Sequence, residues 1–176
     1  MKFHPPVRKS LIPLLLAFAL ALVLVPVYAQ QEETGAAPAI WKESTVQFPA
    51  APQKENLLSF FASNANVLNF TIDAKSVSVE NDGVIRYTLV ITSKNGAANI
   101  SYEGIRCSTG EKKLYAFGQT DGSWSAAKRD TWDPIYGGGV NRQHITLAKE
   151  YFCDESRVAG KAETIVERIR RKKPLK

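Results

Sequence analysis

The chain of 176 residues has 23 Lys and Arg residues against 17 Asp and Glu residues, which gives a net charge of +6. Nine of the basic residues lie at the two ends, before residue 10 and after residue 167, so the stretch between them has a net charge near −3. The length allows one domain with a hydrophobic core, and the charge distribution excludes a nucleic-acid-binding protein whose whole surface is basic.

Residues 1–29 have the order of a cleavable secretory signal peptide. Basic residues precede an apolar run from Leu11 to Val25, and small side chains stand at Val27 and Ala29. We therefore expect cleavage after Ala29 and export from the cytoplasm. The alternative is an uncleaved anchor, but the run is shorter than the roughly 20 apolar residues of a spanning helix. No membrane span is expected after cleavage.

Two cysteines, Cys107 and Cys153, follow the signal peptide. An even cysteine count in an exported protein favours a disulfide, and two cysteines allow a single pairing. A redox-active pair usually has Cys-x-x-Cys spacing, which this chain lacks. The sequence therefore predicts a structural bridge, which would stabilise the fold by about 4 kcal/mol in the chain-entropy model.

The remaining chain divides by composition. Residues 30–52 are rich in Gln, Glu, Ala and Pro and predict a flexible lead-in to one domain of residues 53–171, although Trp41 and Phe48 could pack on that domain. The apolar segment from Asn56 to Ala62 is too short to be assigned to helix or strand.

From Phe70 onward the pattern is that of β-strands. Apolar and polar residues alternate, and Gly-containing turns recur every 12 to 14 residues, as in an antiparallel meander of about five strands. The apolar phase changes around Gly104, which predicts a β-bulge there. The run from Leu114 to Phe117 predicts a largely buried strand.

The C-terminal part has helical periodicity instead. Gly137–Gly139 and a candidate N-cap, Asn141, precede a helix that ends near Cys153, and a second helix follows Gly160. Strands first and helices last predict an α+β fold, in which two C-terminal helices pack on one face of the antiparallel sheet. Residues 172–176 form a basic tail.

No combination of residues predicts a reaction. His144 is the one histidine after residue 29, and with Glu103 or Asp133 it is the strongest candidate for a hydrolase. There is no Gly-x-Ser-x-Gly motif, no set of zinc ligands and no calcium-binding loop. We therefore assign no catalytic residue, no metal site and no cofactor.

Two surfaces are candidates for binding. Trp124, Trp132 and Tyr136 could stack on a sugar or a peptide, the alternative being a minor core beneath the loop. The basic C-terminus could make weak contact with an anionic surface, the alternative being solvated cations at the C-terminal end of a helix.

The order of several short segments resembles the cryptic neisserial protein-like family, small exported proteins of proteobacteria without an assigned activity. In chain order these segments are Arg86–Val90, Tyr102–Cys107, Tyr115–Gly118, Asp121–Trp124, Trp132, Pro134–Ile135 and Tyr151–Cys153. The resemblance covers about residues 57–169 and implies a periplasmic location in a Gram-negative cell, but it supplies no catalytic residues. Glu103 and Arg106 stand out beside Cys107 as binding candidates, with an internal ion pair as the alternative.

Two functions are compatible with these observations. The first is a non-catalytic periplasmic binding or envelope-accessory domain, with an envelope protein or a glycan as its partner and no nucleic acid. The second is a hydrolase that acts on cell-envelope material.

Overall fold

The computed structural model describes residues 40–62, 68–136 and 142–175, all within one compact unit, Ile40–Lys176. The predicted signal peptide, the first part of the lead-in, the Gly137–Gly139 segment and the candidate N-cap Asn141 lie outside the described residues.

The described part of the chain has the predicted antiparallel meander. Six strands pair in chain order from β1 to β6, and a seventh, β7, pairs with β5 on the same side as β6. After a 3₁₀ turn (Lys54–Asn56), the strands are β1 (Leu57–Phe60), β2 (Leu68–Val79), β3 (Val84–Ser93), β4 (Ala98–Arg106), β5 (Glu111–Gly118), β6 (Trp124–Ala126) and β7 (Asp133–Pro134). The α+β class is confirmed, with more strands than the expected five.

The predicted bulge at Gly104 is wrong. Pairing between β3 and β4 runs without interruption from Val84 opposite Arg106 to Thr92 opposite Ala98. The irregularity lies in β5, where Tyr115 is the extra residue between the partners of Glu103 and Tyr102. The apolar alternation of β4 is broken because the polar residues Ser101 and Glu103, not apolar ones, occupy its core-facing side before Ile105.

A second irregularity lies in β2, where the register with β3 shifts between Asp73 and Ser78. The Ser76 hydroxyl accepts a hydrogen bond from the backbone N–H of Thr88 (2.7 Å) and donates one to the carbonyl of Asp73 (2.8 Å). The Ser76 side chain thus replaces part of the backbone hydrogen bonding between β2 and β3. The register shift explains why Ile72 and Val77, five positions apart, both face the main core.

Two C-terminal helical segments pack on one face of the sheet, as predicted. The first, α1 (Arg142–Thr146), continues as a π-helical stretch (Leu147–Phe152), and the second is α2 (Ala162–Arg170). Between them β8 (Cys153–Asp154) pairs with β9 (Arg157–Val158). The main core joins these helical segments to the sheet; its largest fully buried members include Ile72, Ile85, Tyr87, Leu89, Ile105, Leu147, Phe152, Ile165 and Ile169.

The predicted disulfide is confirmed. Cys107 follows β4 and Cys153 follows the π-helical stretch, and their sulfurs are bonded with the two Cα atoms 5.6 Å apart. The bridge therefore holds the first helical segment against the end of the central strand β4.

Residues 40–52 belong to the compact unit rather than to a separate flexible lead-in. They contain neither helix nor strand, yet they cover the face of the sheet opposite the helices. Trp41 donates its indole N–H to the carbonyl of Asp82 (2.8 Å), and Trp124 donates its own to the carbonyl of Pro49 (2.7 Å). The sequence allowed Trp41 and Phe48 to pack on the domain, but it did not indicate which residues they contact, since these are spread along the sheet.

No helix within residues 40–62, 68–136 and 142–175 has the length and hydropathy needed to cross a membrane.

Candidate functional site

The structure separates Glu103 and Arg106 onto opposite faces of β4. Glu103 points to the helices, whereas Arg106 pairs with Glu111 on the other face. The guanidinium of Arg106 lies 4.2 Å from the ring centre of Trp41 and 5.0 Å from that of Trp132. Glu103 and Arg106 therefore do not pair with each other, because an odd spacing along a strand places side chains on different faces. Each has a charged contact of its own instead, Glu103 with His144 and Arg106 with Glu111.

Glu103 is the centre of a buried polar network between the sheet and the first helical segment. Its Oε2 lies 2.6 Å from His144 Nε2 and accepts a hydrogen bond from the Tyr87 hydroxyl (3.1 Å). Its Oε1 accepts one from the Ser101 hydroxyl (2.7 Å). Burial favours a raised pKa for Glu103, but His144 and the two hydroxyls outweigh it and lower that pKa. The group thus stays a carboxylate in the interior.

The order of this network differs from that of a hydrolase triad. In a triad the histidine lies between the nucleophile and the acid, whereas here Glu103 lies between Ser101 and His144. Glu103 and His144 are 8% and 5% exposed, so neither faces an open pocket. Asp133, the other proposed partner of His144, pairs instead with Arg129 at 3.0 Å. The arrangement connects β3, β4 and α1, and it places Ser101 in contact with Glu103 instead of His144.

A second set of charged residues, the charged cluster, lies on the opposite face and consists of Glu43, Asp82, Arg86, Lys113 and Tyr115. Arg86, only 2% exposed, donates to Asp82 Oδ2 (2.7 Å) and lies 3.5 Å from Glu43 Oε1. Glu43 also accepts from Lys113 Nζ (2.8 Å) and from the Tyr115 hydroxyl (2.7 Å). Glu43 therefore connects the N-terminal segment to both β3 and β5.

Electrostatics in the charged cluster favour the ionised carboxylate of Asp82. Burial acts to raise its pKa, but hydrogen bonds from Arg86 and from the backbone N–H groups of Ser44 and Val84 outweigh burial and lower the pKa to about 2. Burial and the bond to Glu43 raise the pKa of Tyr115. The cluster is thus a paired, buried network, which is costly to break by removing one partner.

Two of the three aromatic binding candidates belong to a continuous aromatic row on this face. Ring centres along the row are separated by 6.0 Å (Trp41–Trp132), 6.5 Å (Trp132–Tyr115), 5.7 Å (Tyr115–Tyr102) and 5.9 Å (Tyr102–Trp124). The row lies beneath residues 41–49, a geometry that favours a minor core for Trp124 and Trp132. Tyr136 lies apart, 48% exposed, with Lys149 Nζ 5.3 Å from its ring centre.

The β5–β6 pocket is an open feature that sequence reasoning missed. Its volume is about 510 Å³, and it lies where β5 meets β6 and the loop that leads to β7. Its lining consists of Lys112, Leu114, Phe117, Ser125, Ala126, Ala127, Lys128, Arg129, Thr131 and Asp133. The sequence predicts a buried strand at residues 114–117, yet Phe117 is 42% exposed. The sequence shows that Phe117 is hydrophobic, but it does not show that the helices leave this part of the sheet uncovered.

Comparison with known proteins agrees with the resemblance noted in the sequence. The model described as the CNP1-like family matches residues 36–170. "Cryptic neisserial protein 1" of Neisseria gonorrhoeae (strain ATCC 700825 / FA 1090) is 28% identical over 167 residues, which cover 82% of this chain and 80% of that protein. Among solved structures, none matches the chain.

Proposed function

We propose that this chain, a member of the CNP1-like family, is an exported periplasmic protein whose domain binds an envelope partner without catalysing a reaction. The signal-peptide pattern of residues 1–29 supports export. The disulfide between Cys107 and Cys153 supports an oxidising compartment.

The β5–β6 pocket is the observation that carries the binding role. It is within the usual range of ligand pockets, about 300 to 1,000 Å³, and it exposes Phe117 on the sheet face that otherwise packs against the helices. An exposed aromatic residue in a concave site is a frequent anchor for a partner.

Site-specific photocrosslinking in intact cells tests this proposal. A photoreactive phenylalanine analogue replaces Phe117, and a matched control carries it at Asn95, which is exposed in the β3–β4 turn. We expect a discrete adduct in the periplasmic fraction from position 117 and none from position 95. Oxidised cysteines and a shortened N-terminus in that fraction would support export.

Equal labelling at positions 117 and 95, or no adduct at either position, would contradict the binding role. Recovery of the full-length, reduced protein in the cytoplasm would contradict export.

A hydrolase acting on envelope material is the competing proposal, motivated by the 2.6 Å contact between His144 and Glu103. The burial of both side chains and the position of Glu103 between Ser101 and His144 count against it. Hydrolysis of purified envelope material that survives Glu103→Gln and His144→Ala would eliminate this assignment.

A further inference from the structure

The floor of the β5–β6 pocket is an apolar strip on the helix side of the sheet. Leu114 lies opposite Glu103 and Phe117 lies opposite Ser101, so both side chains emerge on the face that holds the buried network. The second helix packs over β1 and β2, at the other end of the sheet. On β6, Ser125 lies opposite Phe117 and lines the pocket on the same face, and Ala127 in the following loop lines it as well. Apolar surface is therefore left open on a face that is elsewhere core.

The rim of the pocket is cationic. Lys112, Lys128 and Arg129 line it, and the acidic lining residue, Asp133, already pairs with Arg129 at 3.0 Å. Within the part of the chain that the structure describes, neither Lys112 nor Lys128 has a carboxylate partner. Asp133 also lies directly opposite Lys112 in the pairing of β5 with β7. The lining, with three cations and one carboxylate, thus has an excess of two positive charges beside the apolar strip.

We propose that the β5–β6 pocket binds a small anionic amphiphile, a molecule with an apolar chain or ring and a carboxylate, sulfonate or phosphate group. This inference rests on the proposed binding function and adds the chemical class of the ligand. The apolar part lies against Phe117 and Leu114, and the anion is paired with Lys112 and Lys128. A neutral sugar would use the apolar strip poorly and would leave the two lysines unpaired.

Binding of decanoate and of decanol to the exported protein tests the proposal, since the two share a chain length and differ in charge. Both compete with anilinonaphthalene sulfonate, whose fluorescence reports occupancy of the pocket. We expect decanoate to bind about tenfold more tightly than decanol, the scale of one charge-assisted contact.

Variants separate the two parts of the pocket. Lys112→Gln combined with Lys128→Gln is expected to weaken decanoate about tenfold and to leave decanol unchanged. Phe117→Ser is expected to weaken both about tenfold, because it removes the apolar contact. Lys172→Gln with Lys173→Gln, two exposed cations beyond α2, is the matched control and leaves both affinities unchanged. Thermal unfolding of each variant confirms that it is folded.

Equal affinity for decanoate and decanol, or a decanoate affinity that the Lys112 and Lys128 substitutions leave unchanged, would overturn the inference. A protein adduct at position 117 without any decanoate binding would overturn the inference while supporting the proposed function. If neither a crosslinked adduct at position 117 nor decanoate binding is found, both the proposed function and this inference are contradicted.

Discussion

Gly104 on β4 leaves the space that the ring of Tyr115 occupies. A Cβ atom at position 104 would lie 2.6 Å from the Tyr115 hydroxyl oxygen and 2.9 Å from its Cε2. The same hydroxyl donates a hydrogen bond to Glu43 at 2.7 Å. The glycine is therefore needed for a close approach of a side chain, and it indirectly positions the contact between the N-terminal segment and β5.

We expect Gly104→Ala to destabilise the protein by about 1 to 3 kcal/mol, the usual cost of overpacking a well-packed site. The added methyl group has to displace Tyr115 from Glu43. Urea unfolding followed by tryptophan fluorescence measures the change in the free energy of unfolding.

The Tyr115→Phe background provides the control, because it removes the oxygen atom that lies nearest to the added methyl group. The cost of Gly104→Ala should be smaller there than in the wild-type protein. Equal costs in the two backgrounds would show that the tyrosine hydroxyl is not the obstacle.

Residue identity was enough to nominate Glu103 and His144, but it was not enough to show what they do. They are 41 positions apart and meet at 2.6 Å only because the first helical segment packs on β4. The same network made it hard to predict which face of β4 is buried, since buried Ser101 and Glu103 interrupt its apolar alternation. A buried polar group is visible in a sequence only when its partners are known.

At the scale of elements, the sequence predicted those strands and helices whose side chains follow one period. β3 alternates regularly, and the apolar stripe of α2 is buried through Ile165 and Ile169. The prediction did not include the irregularity in β2, where the Ser76 hydroxyl takes over from the backbone. It was also incomplete at β1 (Leu57–Phe60), which is short and depends on pairing with β2.

The cations at the end of α2 fall into two groups. Arg168 donates to the carbonyl oxygens of Tyr151 (2.6 Å) and Ala159 (2.9 Å). Arg170 and Arg171 pair with Glu167 at 2.7 Å and 2.5 Å. Part of the basic C-terminus is thus committed within the domain, which reduces the charge left for the weak anionic-surface contact that the sequence suggested.

We expect Arg168→Gln to lower the free energy of unfolding by about 1.5 to 3 kcal/mol, because it removes charge-assisted hydrogen bonds that connect α2 to the first helical segment and to Ala159, which follows β9. Lys172→Gln, at an exposed position in the same turn, should change it by less than about 0.5 kcal/mol. Urea unfolding of both variants makes the comparison. Similar effects would show that Arg168 acts only through its charge.

At the scale of the whole molecule, the two faces of the sheet are covered by different kinds of segment. The helices, with the disulfide between Cys107 and Cys153, cover one face. An irregular segment around Glu43 covers the other. The helical cover was predictable from periodicity. For the second cover the sequence suggested only that Trp41 and Phe48 could pack on the domain, because a segment without a repeating pattern does not indicate which residues it contacts.

The charged cluster makes the stability of the whole molecule depend on pH. The pKa of Asp82 falls from its ordinary value of 3.8 to about 2 in the folded state. A lowered carboxylate pKa stabilises the fold above the unfolded value, and this contribution is lost as the pH falls from about 4 to about 2. Glu103, with its lowered pKa, acts in the same direction. Asp73, whose pKa burial raises, acts in the opposite direction.

We expect Asp82→Asn to lower the free energy of unfolding by about 3 kcal/mol at neutral pH, since it removes a buried partner of Arg86. The difference from the wild-type protein should shrink as the pH falls from 4 to 2, where Asp82 itself becomes protonated. Asp133→Asn is the matched control. Asp133 and Arg129 are four residues apart, as Asp82 and Arg86 are, but their side chains are exposed. Its effect should stay below about 1 kcal/mol. Urea unfolding across this pH range measures both, and a constant effect of Asp82→Asn from pH 5 to pH 2 would contradict the assigned role of the buried pair.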